Sequence, residues 1–405
     1  MGTEHQCKIT MFPAADGDCF LLEFNTGETE YRMMIDSGPV NFGDAKLKTV
    51  AEKLKADKKK IDLLLISHFD RDHIGGALSL LRDRHVWDVV GEIWHNGLQQ
   101  IAPQLEEKPT ADDIAAIAAV KRDYREAPPA KSGYISAEQS VTLSTLIARR
   151  EIPVNLHAKG EAITSDTPMI PLGNDKSIEV FFLLPNKERL DALLKLFAKK
   201  LHRVIIGAKP AFTNDLEEAF YNYMCSIEPL VNSGKYISGK SNLRSSLEEY
   251  AYKMPEPDDS PTNAASIAVI IRYHGKKLLF AGDAVAEDLC NALKRWKEEN
   301  NENLFFDVVK LPHHGSGCNC AALLDLPGFQ GKHFLISTNG THGHPNMETI
   351  ARLIVRNTQE TREISLNYPH KKLEHLIANS AEDTPDNYTL QIGETIVLFE
   401  VKPHG

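Results

Sequence analysis

The sequence predicts an α/β protein in which helices cover the faces of a sheet. Ile61–Ile66 is a continuous apolar run of the length expected for a strand that is buried on both faces. Shorter apolar runs broken by turns precede it, as antiparallel strands require. After it, strand patterns alternate with amphipathic helix patterns. The buried run and the alternation together indicate a sheet with helices packed against it.

The predicted strands are short apolar runs bounded by turn residues. In chain order they are Cys7–Phe12, Cys19–Phe24, Tyr31–Ile35, Ile61–Ile66, Val89–Trp94, Glu179–Leu184, Ile267–Arg272, Leu278–Ala281, Phe306–Leu311, Phe334–Ser337, Ile364–Leu366, Thr389–Ile392 and Ile396–Val401. Residues 17–18 and 26–27 contain the glycines that separate the first three strands, which favours tight turns there.

The predicted helices repeat apolar residues with the spacing of one helical face. They are a segment in which Leu47, Val50, Ala51 and Leu54 share a face, then Ala111–Arg125, Ser136–Arg150, Leu190–Leu201, Glu287–Trp296 and Met347–Val355. Ser136 and Gln139 have the spacing of a capping box, and Asn186 is placed to cap the helix that follows it.

Composition excludes several classes of protein. The 405 residues are 42% hydrophobic, 25% charged and 7% aromatic, which excludes disordered, collagen-like and coiled-coil chains. No apolar stretch is long enough to span a membrane, and Met1–Cys7 lacks the features of a signal peptide. Six cysteines without a CxxC pair indicate reduced thiols rather than a disulfide framework. We therefore expect a cytoplasmic protein with no membrane partner.

The charge balance restricts how the chain could contact a polyanion. The net charge of −10 gives no general attraction to nucleic acid, so any such contact must be local. Two basic runs could supply it: Lys46–Lys60 contains seven lysines, and Lys187–Lys209 contains seven lysines and arginines. The alternative for each run is a solvated helix face.

The strongest chemical signal directly follows the buried strand. His68, Asp70, Asp72 and His73 lie within six residues and are followed by two glycines. A loop that leaves a strand can turn all four side chains towards one point, and imidazole together with carboxylate suits Zn²⁺, Mn²⁺, iron or Ni²⁺. An ordinary polar loop is the alternative.

Three further polar loops also follow predicted strands. They contain Asp283 after a glycine, His313 and His314 before Gly-Ser, and His344 before a proline. Taken singly, a Gly-Asp pair is common as a turn or helix cap, and histidines in a Gly/Pro loop can simply be exposed polar residues. Because all four loops lie at the carboxyl ends of strands, where α/β sheets bind ligands, we expect them to form one site.

These motifs, in this order, resemble those of the metallo-β-lactamase fold, and within it the hydrolase domain of ComEC-type DNA-uptake proteins. Weaker pieces agree: Gly17-Asp18 resembles that group's strand entry, Ile35–Gly38 its Ile-Asp-x-Gly, and Asn263–Ser266 its Asn-x-x-Ser. The resemblance covers residues 7–96, 177–186 and 263–357. The carboxyl-terminal tail lies outside it.

The resemblance implies a domain architecture. It is an αββα metallo-β-lactamase sandwich, a single domain over residues 1–405, with a centre of one or two divalent metal ions at one edge. Two stretches that exceed the family's core, residues 98–175 and 186–261, are expected to be mainly helical insertions. Such insertions often cap an active site or form an interface with a partner protein.

The resemblance also implies a ligand set. The residues that correspond to metal ligands are His68 and Asp70 for the first ion, Asp72 and His73 for the second, Asp283 as the bridge, and His314 as the last ligand. His314 corresponds better than His313 because it directly precedes the glycine of the motif.

The sequence departs from the family pattern at two positions. Asp70 stands where the family has its second histidine, and the histidine usually found about 20 residues before the bridging aspartate is absent, with Thr262 and Asn263 the nearest candidates. Both changes replace nitrogen ligands by oxygen, which favours Mn²⁺ relative to Zn²⁺. They also weaken the first site, so a single ion is an alternative.

The resemblance favours hydrolysis of phosphodiesters, hence a nuclease or phosphodiesterase that acts on DNA or RNA. Asp72 would orient the attacking hydroxide, and His344 would contact a phosphate oxygen or protonate the leaving group. His313 is a weaker candidate for substrate contact. The alternatives are hydrolysis of a small ester, lactone or nucleotide signal, and an effector subunit whose insertions bind a partner protein.

Overall fold

The structure consists of two mixed β-sheets packed face to face. It is a computed structural model that describes residues 5–26, 29–102, 114–115, 117–119, 143–204, 216–224, 247–355, 361–370, 373–374, 388–393 and 395–401. In the first sheet the strand order is β14-β1-β2-β3-β4-β5, and in the second it is β13-β12-β11-β10-β9-β8-β7-β6.

The strands agree closely with the apolar runs of the sequence. They are β1 His5–Met11, β2 Phe20–Thr26, β3 Thr29–Ile35, β4 Ile61–Leu65, β5 Val90–Trp94, β6 Ile170–Leu172, β7 Ile178–Leu184, β8 Ala268–Tyr273, β9 Lys276–Phe280, β10 Phe305–Lys310, β11 Gln330–Ile336, β12 Arg362–Leu366, β13 Tyr388–Ile392 and β14 Thr395–Val401. Strand β6 was missed because Ile170-Pro171-Leu172 is too short to show alternation.

The α-helices lie on the outer faces of the two sheets and in the connections at their edge. They are α1 Val40–Phe42, α2 Lys48–Ala56, α3 Arg71–Arg82, α4 Leu98–Ile101, α5 Leu143–Arg150, α6 Lys187–Val204, α7 Leu247–Tyr252, α8 Pro261–Ala264, α9 Ala286–Asn300, α10 Gly317–Leu324 and α11 Met347–Val355. Residues 216–224 are also helical. Asn186 caps α6 as predicted, because its Oδ1 accepts the Arg189 N–H at 3.0 Å.

Three apolar clusters define four layers. The cluster between the sheets joins strands of both, as where the rings of Phe20 and Phe280 pack edge to face at 5.4 Å. A second cluster holds α2, α3 and α5 against the first sheet, and a third holds α9, α10 and α11 against the second. This arrangement of helices, two sheets and helices confirms the predicted αββα sandwich.

The carboxyl-terminal tail belongs to both sheets, although the family resemblance left it outside. Strand β14 pairs antiparallel with β1 at the edge of the first sheet, and β13 pairs parallel with β12 at the edge of the second. Asn367 continues this connection, since its Nδ2 donates to Phe12 O at 2.9 Å. The tail therefore completes the sandwich rather than extending from it.

The two predicted insertions meet in a fourth apolar cluster beside the polar loops. Leu190, Leu193 and Phe197 of α6 are buried there against residues 216–224, and Phe69, from the loop after β4, is part of the same cluster. The apolar stripe of α6 is therefore covered within the chain. The predicted capping box at Ser136 and most of Ala111–Arg125 lie outside the described residues.

The sequence predicted no membrane-spanning helix and reduced cysteines. No helix in the described parts of the chain is long and apolar enough to cross a membrane. The thiols of Cys7, Cys19, Cys290 and Cys320 are free.

Candidate metal centre

Four loops bring their polar side chains to one edge of the sandwich. The loop after β4 carries His68, Asp70, Asp72 and His73, and three successive loops follow the neighbouring parallel strands β9, β10 and β11 of the second sheet. Strand β4 is itself parallel to β3 and β5, so the site lies where the carboxyl ends of both sheets meet.

Four donor atoms form a closed ring around one point. The Nε2 atom of His73 lies 3.7 Å from Asp72 Oδ2 and 3.4 Å from Asp283 Oδ2. The Nε2 atom of His314 lies 3.1 Å from Asp72 Oδ2 and 3.5 Å from Asp283 Oδ2. Neighbouring ligand atoms that share an ion at about 2.1 Å are roughly 3.0 to 3.4 Å apart, so two sides of this ring match that spacing and the other two exceed it by 0.1 and 0.3 Å.

Each imidazole of the ring is fixed by a hydrogen bond at its other nitrogen. His73 Nδ1 donates to the Asp36 carboxylate at 2.9 Å, and His314 Nδ1 donates to the Ser337 carbonyl oxygen at 2.8 Å. Both partners only accept, so Nδ1 carries a proton in each ring. The Nε2 atom of each ring therefore faces carboxylates, and either a second proton or a metal cation must lie between them.

The electrostatics of the ring favour positive charge at that position. Burial lowers the pKa of His73 and His314, but the surrounding carboxylates reverse this and hold both pKa values well above their usual range. Burial raises the pKa of Asp283, yet His73, His314 and Lys310 hold it well below its usual range. A field that retains protons on these imidazoles also attracts a divalent cation.

The donors of the predicted first ion also lie near Asp283. His68 Nε2 is 3.3 Å from Asp70 Oδ2 and 3.9 Å from Asp283 Oδ2. His68, His73 and Asp283 offer atoms that all lie within 4.8 Å of one another. The buried His68 Nε2 and Asp70 Oδ1 atoms take no hydrogen bond from any residue that the structure describes. Such orphaned atoms at a convergence of donors fit a metal ligand role.

Two carboxylates that were not predicted as site residues form the layer behind the ligands. Asp36 accepts hydrogen bonds from Ser67 as well as His73, and Asp18 lies 3.3 Å from His314 Nδ1 and contacts Lys310. Asp18 faces the Nδ1 side of the rings, so it lies behind them rather than among the ion's ligands. The Gly-Asp and Ile-Asp-x-Gly pieces of the sequence were the signal for both residues.

Lys310 is buried in this layer, although its strand position allowed a solvated side chain. Its Nζ donates to Gly282 O at 2.8 Å, contacts Asp18, and lies 3.5 Å from Asp283 Oδ1. Burial lowers the pKa of Lys310, but Asp18 and Asp283 outweigh this and raise it above its usual range. The ammonium thereby contacts Asp283 Oδ1, and Asp283 Oδ2 faces the imidazoles.

The formal charges of the cluster do not balance without further cations. Among the described residues, the cluster contains five carboxylates and the ammonium of Lys310. With neutral imidazoles this leaves an excess of four negative charges. The carboxylates, each at most 16% exposed in its side chain, are Asp18, Asp36, Asp70, Asp72 and Asp283. Unbalanced buried charge is costly, and two divalent ions would neutralise this excess.

Gly17 allows the loops to approach each other closely. A Cβ atom at this position would overlap the backbone carbonyl of Asp72, so the strand entry can lie against the ligand loop only as glycine. The Asp18 N–H then donates to the same Asp72 carbonyl at 3.2 Å. The Gly-Asp pair thus positions both the loop and the carboxylate behind it.

The remaining predicted residues flank the ring. His313 Nε2 lies 3.9 Å from Asp283 Oδ2, and the ring of His344 lies 5.0 Å from that of His313. Burial together with His313 and His314 holds the pKa of His344 well below its usual range. Asn263 is a candidate for the position of the absent histidine. Its Nδ2 donates to Asp258 at 2.7 Å, and Asn263 supplies none of the four donor atoms around the proposed ion.

One comparison with known protein families covers the part of the chain that carries the first polar loop. Residues 13–132 match the sequence model of the Metallo-beta-lactamase superfamily, a range that includes His68, Asp70, Asp72 and His73. The chain is therefore similar to this superfamily over those residues, and the match supports a metal-dependent hydrolase.

Two further comparisons add little detail. None of the curated proteins matches the chain. Among solved structures, the metallo-beta-lactamase fold protein YhfI from Bacillus subtilis is similar over 98% of this chain and 100% of that chain, with 13% sequence identity and a TM-score of 0.37.

Proposed function

We propose that this protein is a metal-dependent phosphodiesterase that hydrolyses nucleic acid. The observation that carries the proposal is a cavity that is lined by two exposed lysines and adjoins the candidate metal centre. The superfamily match supports the hydrolase class, and the resemblance to ComEC-type domains favours the phosphodiester bond.

The chain offers ligands for two ions. Asp72, His73 and His314 would hold one ion together with Asp283, and His68 and Asp70 would hold the other beside the same carboxylate. When bound, such ions supply Lewis acidity and an activated water for in-line displacement at phosphorus. Carboxylate oxygens make up much of this donor set, which favours Mn²⁺ relative to Zn²⁺.

The cavity has a volume of about 370 Å³ and lies between α6 and the segment that leads into β8. Arg189, Lys195 and Lys199 line it on the helix side. Asp258 lines the opposite side, and its Oδ2 is 3.5 Å from His313 Nδ1, so the cavity reaches the shell of the metal centre. A phosphate chain that enters the cavity would therefore meet both lysines close to the site.

The two basic runs of the sequence differ in whether their lysines form ion pairs or line the cavity. In the first run, Lys55 pairs with Asp88 at 2.6 Å and Lys59 pairs with Glu30 at 2.9 Å, as expected for a solvated face. In the second run, Lys195 and Lys199 are exposed one helical turn apart and both face the cavity. Arg189 of this run pairs with Asp288 at 2.6 Å, so Lys195 and Lys199 are the described residues of the run that we expect to contact a polyanion.

His344 is the residue that we assign to substrate contact. It lies beside His313 at the end of β11, where a ring nitrogen can donate to a phosphate oxygen that approaches the centre. Asp72 combines a ligand role with orientation of the nucleophile. Lys195 and Lys199 hold phosphates next to the reacting one.

Cleavage of nucleic acids tests the proposal directly. The protein, freed of metal with a chelator and reloaded with Mn²⁺ or Zn²⁺, is incubated with single- and double-stranded DNA and RNA, and products are resolved on denaturing gels. We expect cleavage of at least one substrate that chelator abolishes and metal restores. A preparation with a confirmed metal content that cleaves none of them would contradict the proposal.

The cavity lysines are expected to affect substrate binding rather than chemistry. Replacing Lys195 and Lys199 by glutamate should raise KM for a polynucleotide by about tenfold or more and flatten its dependence on salt, because fewer phosphate contacts release fewer counterions. The matched control is K55E and K59E in the first basic run, which should leave KM unchanged. Equal effects of both pairs would show that the cavity is not the binding surface.

The cavity's volume also lies in the range of small-molecule sites, which favours a nucleotide signal as the second candidate substrate. Cyclic mono- and dinucleotides therefore belong in the same panel. Faster hydrolysis of these than of any polynucleotide would identify the smaller substrate.

A further inference from the structure

We infer that His313 is a ligand of the first ion and replaces the histidine that the family pattern has and this sequence lacks. The inference rests on the proposed metal centre. It gives His313 a role that neither the family pattern nor the superfamily match assigns to it.

The four imidazoles form an arc around one oxygen atom. The Nε2 atoms of His68, His73, His314 and His313 lie 3.9, 3.4, 3.5 and 3.9 Å from Asp283 Oδ2. Ring centroids of neighbours along the arc are 4.2, 5.2 and 5.9 Å apart. His73 and His314, in the middle, belong to the ring with Asp72. His68 and His313 are the two imidazoles that this ring does not use, and each lies 3.9 Å from the shared Asp283 Oδ2.

This assignment makes the two donor sets chemically equivalent. The second site has His73, His314 and Asp72 beside the shared Asp283. With His313 included, the first site has two histidines and one carboxylate of its own, His68, His313 and Asp70, beside the same shared residue. The two 3.9 Å distances exceed the spacing of ligands that share an ion, so we expect this side to contract by about half an ångström when the ion binds.

His313 is anchored in the same way as the imidazoles of the second site. Its Nδ1 lies 3.0 Å from Asn319 Oδ1. The Asn319 Nδ2 atom donates to Asp258 at 2.8 Å and to the carbonyls of Asp283 and Ala284, so Oδ1 is the acceptor. Asn263 Nδ2 also lies 3.4 Å from His313 Nδ1, but the shorter contact with Asn319 Oδ1 favours a proton on Nδ1, so that Nε2 presents its lone pair to the centre, as a ligand requires.

The backbone at this loop is held in a costly conformation. His313 and His314 have φ values of 48° and 55°, in the left-handed region that residues other than glycine and asparagine rarely adopt. Such strain persists where the surrounding structure fixes it, typically at functional sites. Two consecutive left-handed residues turn both imidazoles towards Asp283, whereas a single ligand would need only one.

Metal titration of H313N tests the inference without using activity. Asparagine tolerates left-handed backbone, so this variant removes the imidazole and keeps the loop. The full-length protein is stripped with chelator and titrated with Mn²⁺, and bound ions are counted by elemental analysis and electron paramagnetic resonance. Wild type should bind two ions with an exchange-coupled signal. The variant should keep one ion and lose the coupled signal, with affinity for the other ion weakened by at least 10–100-fold.

Two further variants make the result specific. H344N removes a neighbouring imidazole that is not a ligand and should still bind two ions. N319A leaves His313 in place but removes its anchor, and should weaken the same ion by about 10–100-fold while the other is unaffected.

The outcomes separate this inference from the proposed function. If H313N binds two ions as tightly as wild type, His313 is not a ligand. If wild type binds two ions and H313N one, but no phosphodiester is cleaved, the inference stands and the proposed function fails. If wild type binds no ion, both fail.

Discussion

Replacing Asp283 by asparagine is expected to abolish hydrolysis and to disrupt both metal sites. Its Oδ2 atom is the point around which four imidazole nitrogens converge, so the neutral amide removes the one anion that both sites share. Changes behind a metal ligand cost about 10–100-fold in affinity or activity, and loss of a shared ligand should exceed that. Bound Mn²⁺ and cleavage rate, measured on the same preparation, report the effect.

D307N is the matched control for D283N. Asp307 is also a buried aspartate of the second sheet, where it pairs with Lys276 at 2.9 Å and accepts the Lys277 N–H, away from the imidazoles. This variant should bind the same number of ions as wild type. Full metal binding by D283N would contradict the bridging role of Asp283.

Replacing Lys310 by methionine is expected to lower the free energy of unfolding by about 3–5 kcal/mol in chelator. The side chain is 1% exposed and its ammonium contacts Asp18 and Asp283, so the substitution leaves two buried carboxylates uncompensated. Added Mn²⁺ should recover part of the loss, because the ion supplies positive charge to the same carboxylates. Urea denaturation with and without metal measures both quantities.

K276M provides the comparison for K310M. Lys276 is more than a third exposed and pairs with Asp307 near the surface, where an ion pair contributes about 1 kcal/mol or less. Its loss should be small and should not respond to Mn²⁺. A similar small loss for K310M would show that Lys310 does not balance the charge of the centre.

The sheets could be predicted from the sequence because apolar runs and turns are local signals. Ile61–Ile66 and the run at β10 are buried on both faces, and Met347–Val355 carries an unbroken helical period. The roles of β6 and β14 could not be predicted. A three-residue strand shows no alternation, and edge pairing with β1 depends on contacts more than 380 residues apart in the chain.

The candidate site was only partly predictable, because some of its contacts join residues that are far apart in the chain. His68, Asp72, His73 and His314 stand in motifs whose spacing signals metal binding. Asp36 acts through a hydrogen bond to His73 and Asp18 through its contact with His314, and although both stand in short motifs, these partners lie far away in sequence. The burial of Lys310 depends on the loop after β9, and the anchoring of His313 depends on Asn319 and Asp258 meeting across two connections.

Anomalous diffraction from crystals grown with Mn²⁺ would locate the bound ions. We expect two peaks near Asp283 Oδ2, one within about 2.0–2.4 Å of donor atoms from Asp72, His73 and His314, and the other beside His68 and Asp70. Data that place no manganese within bonding distance of these residues would contradict this expectation.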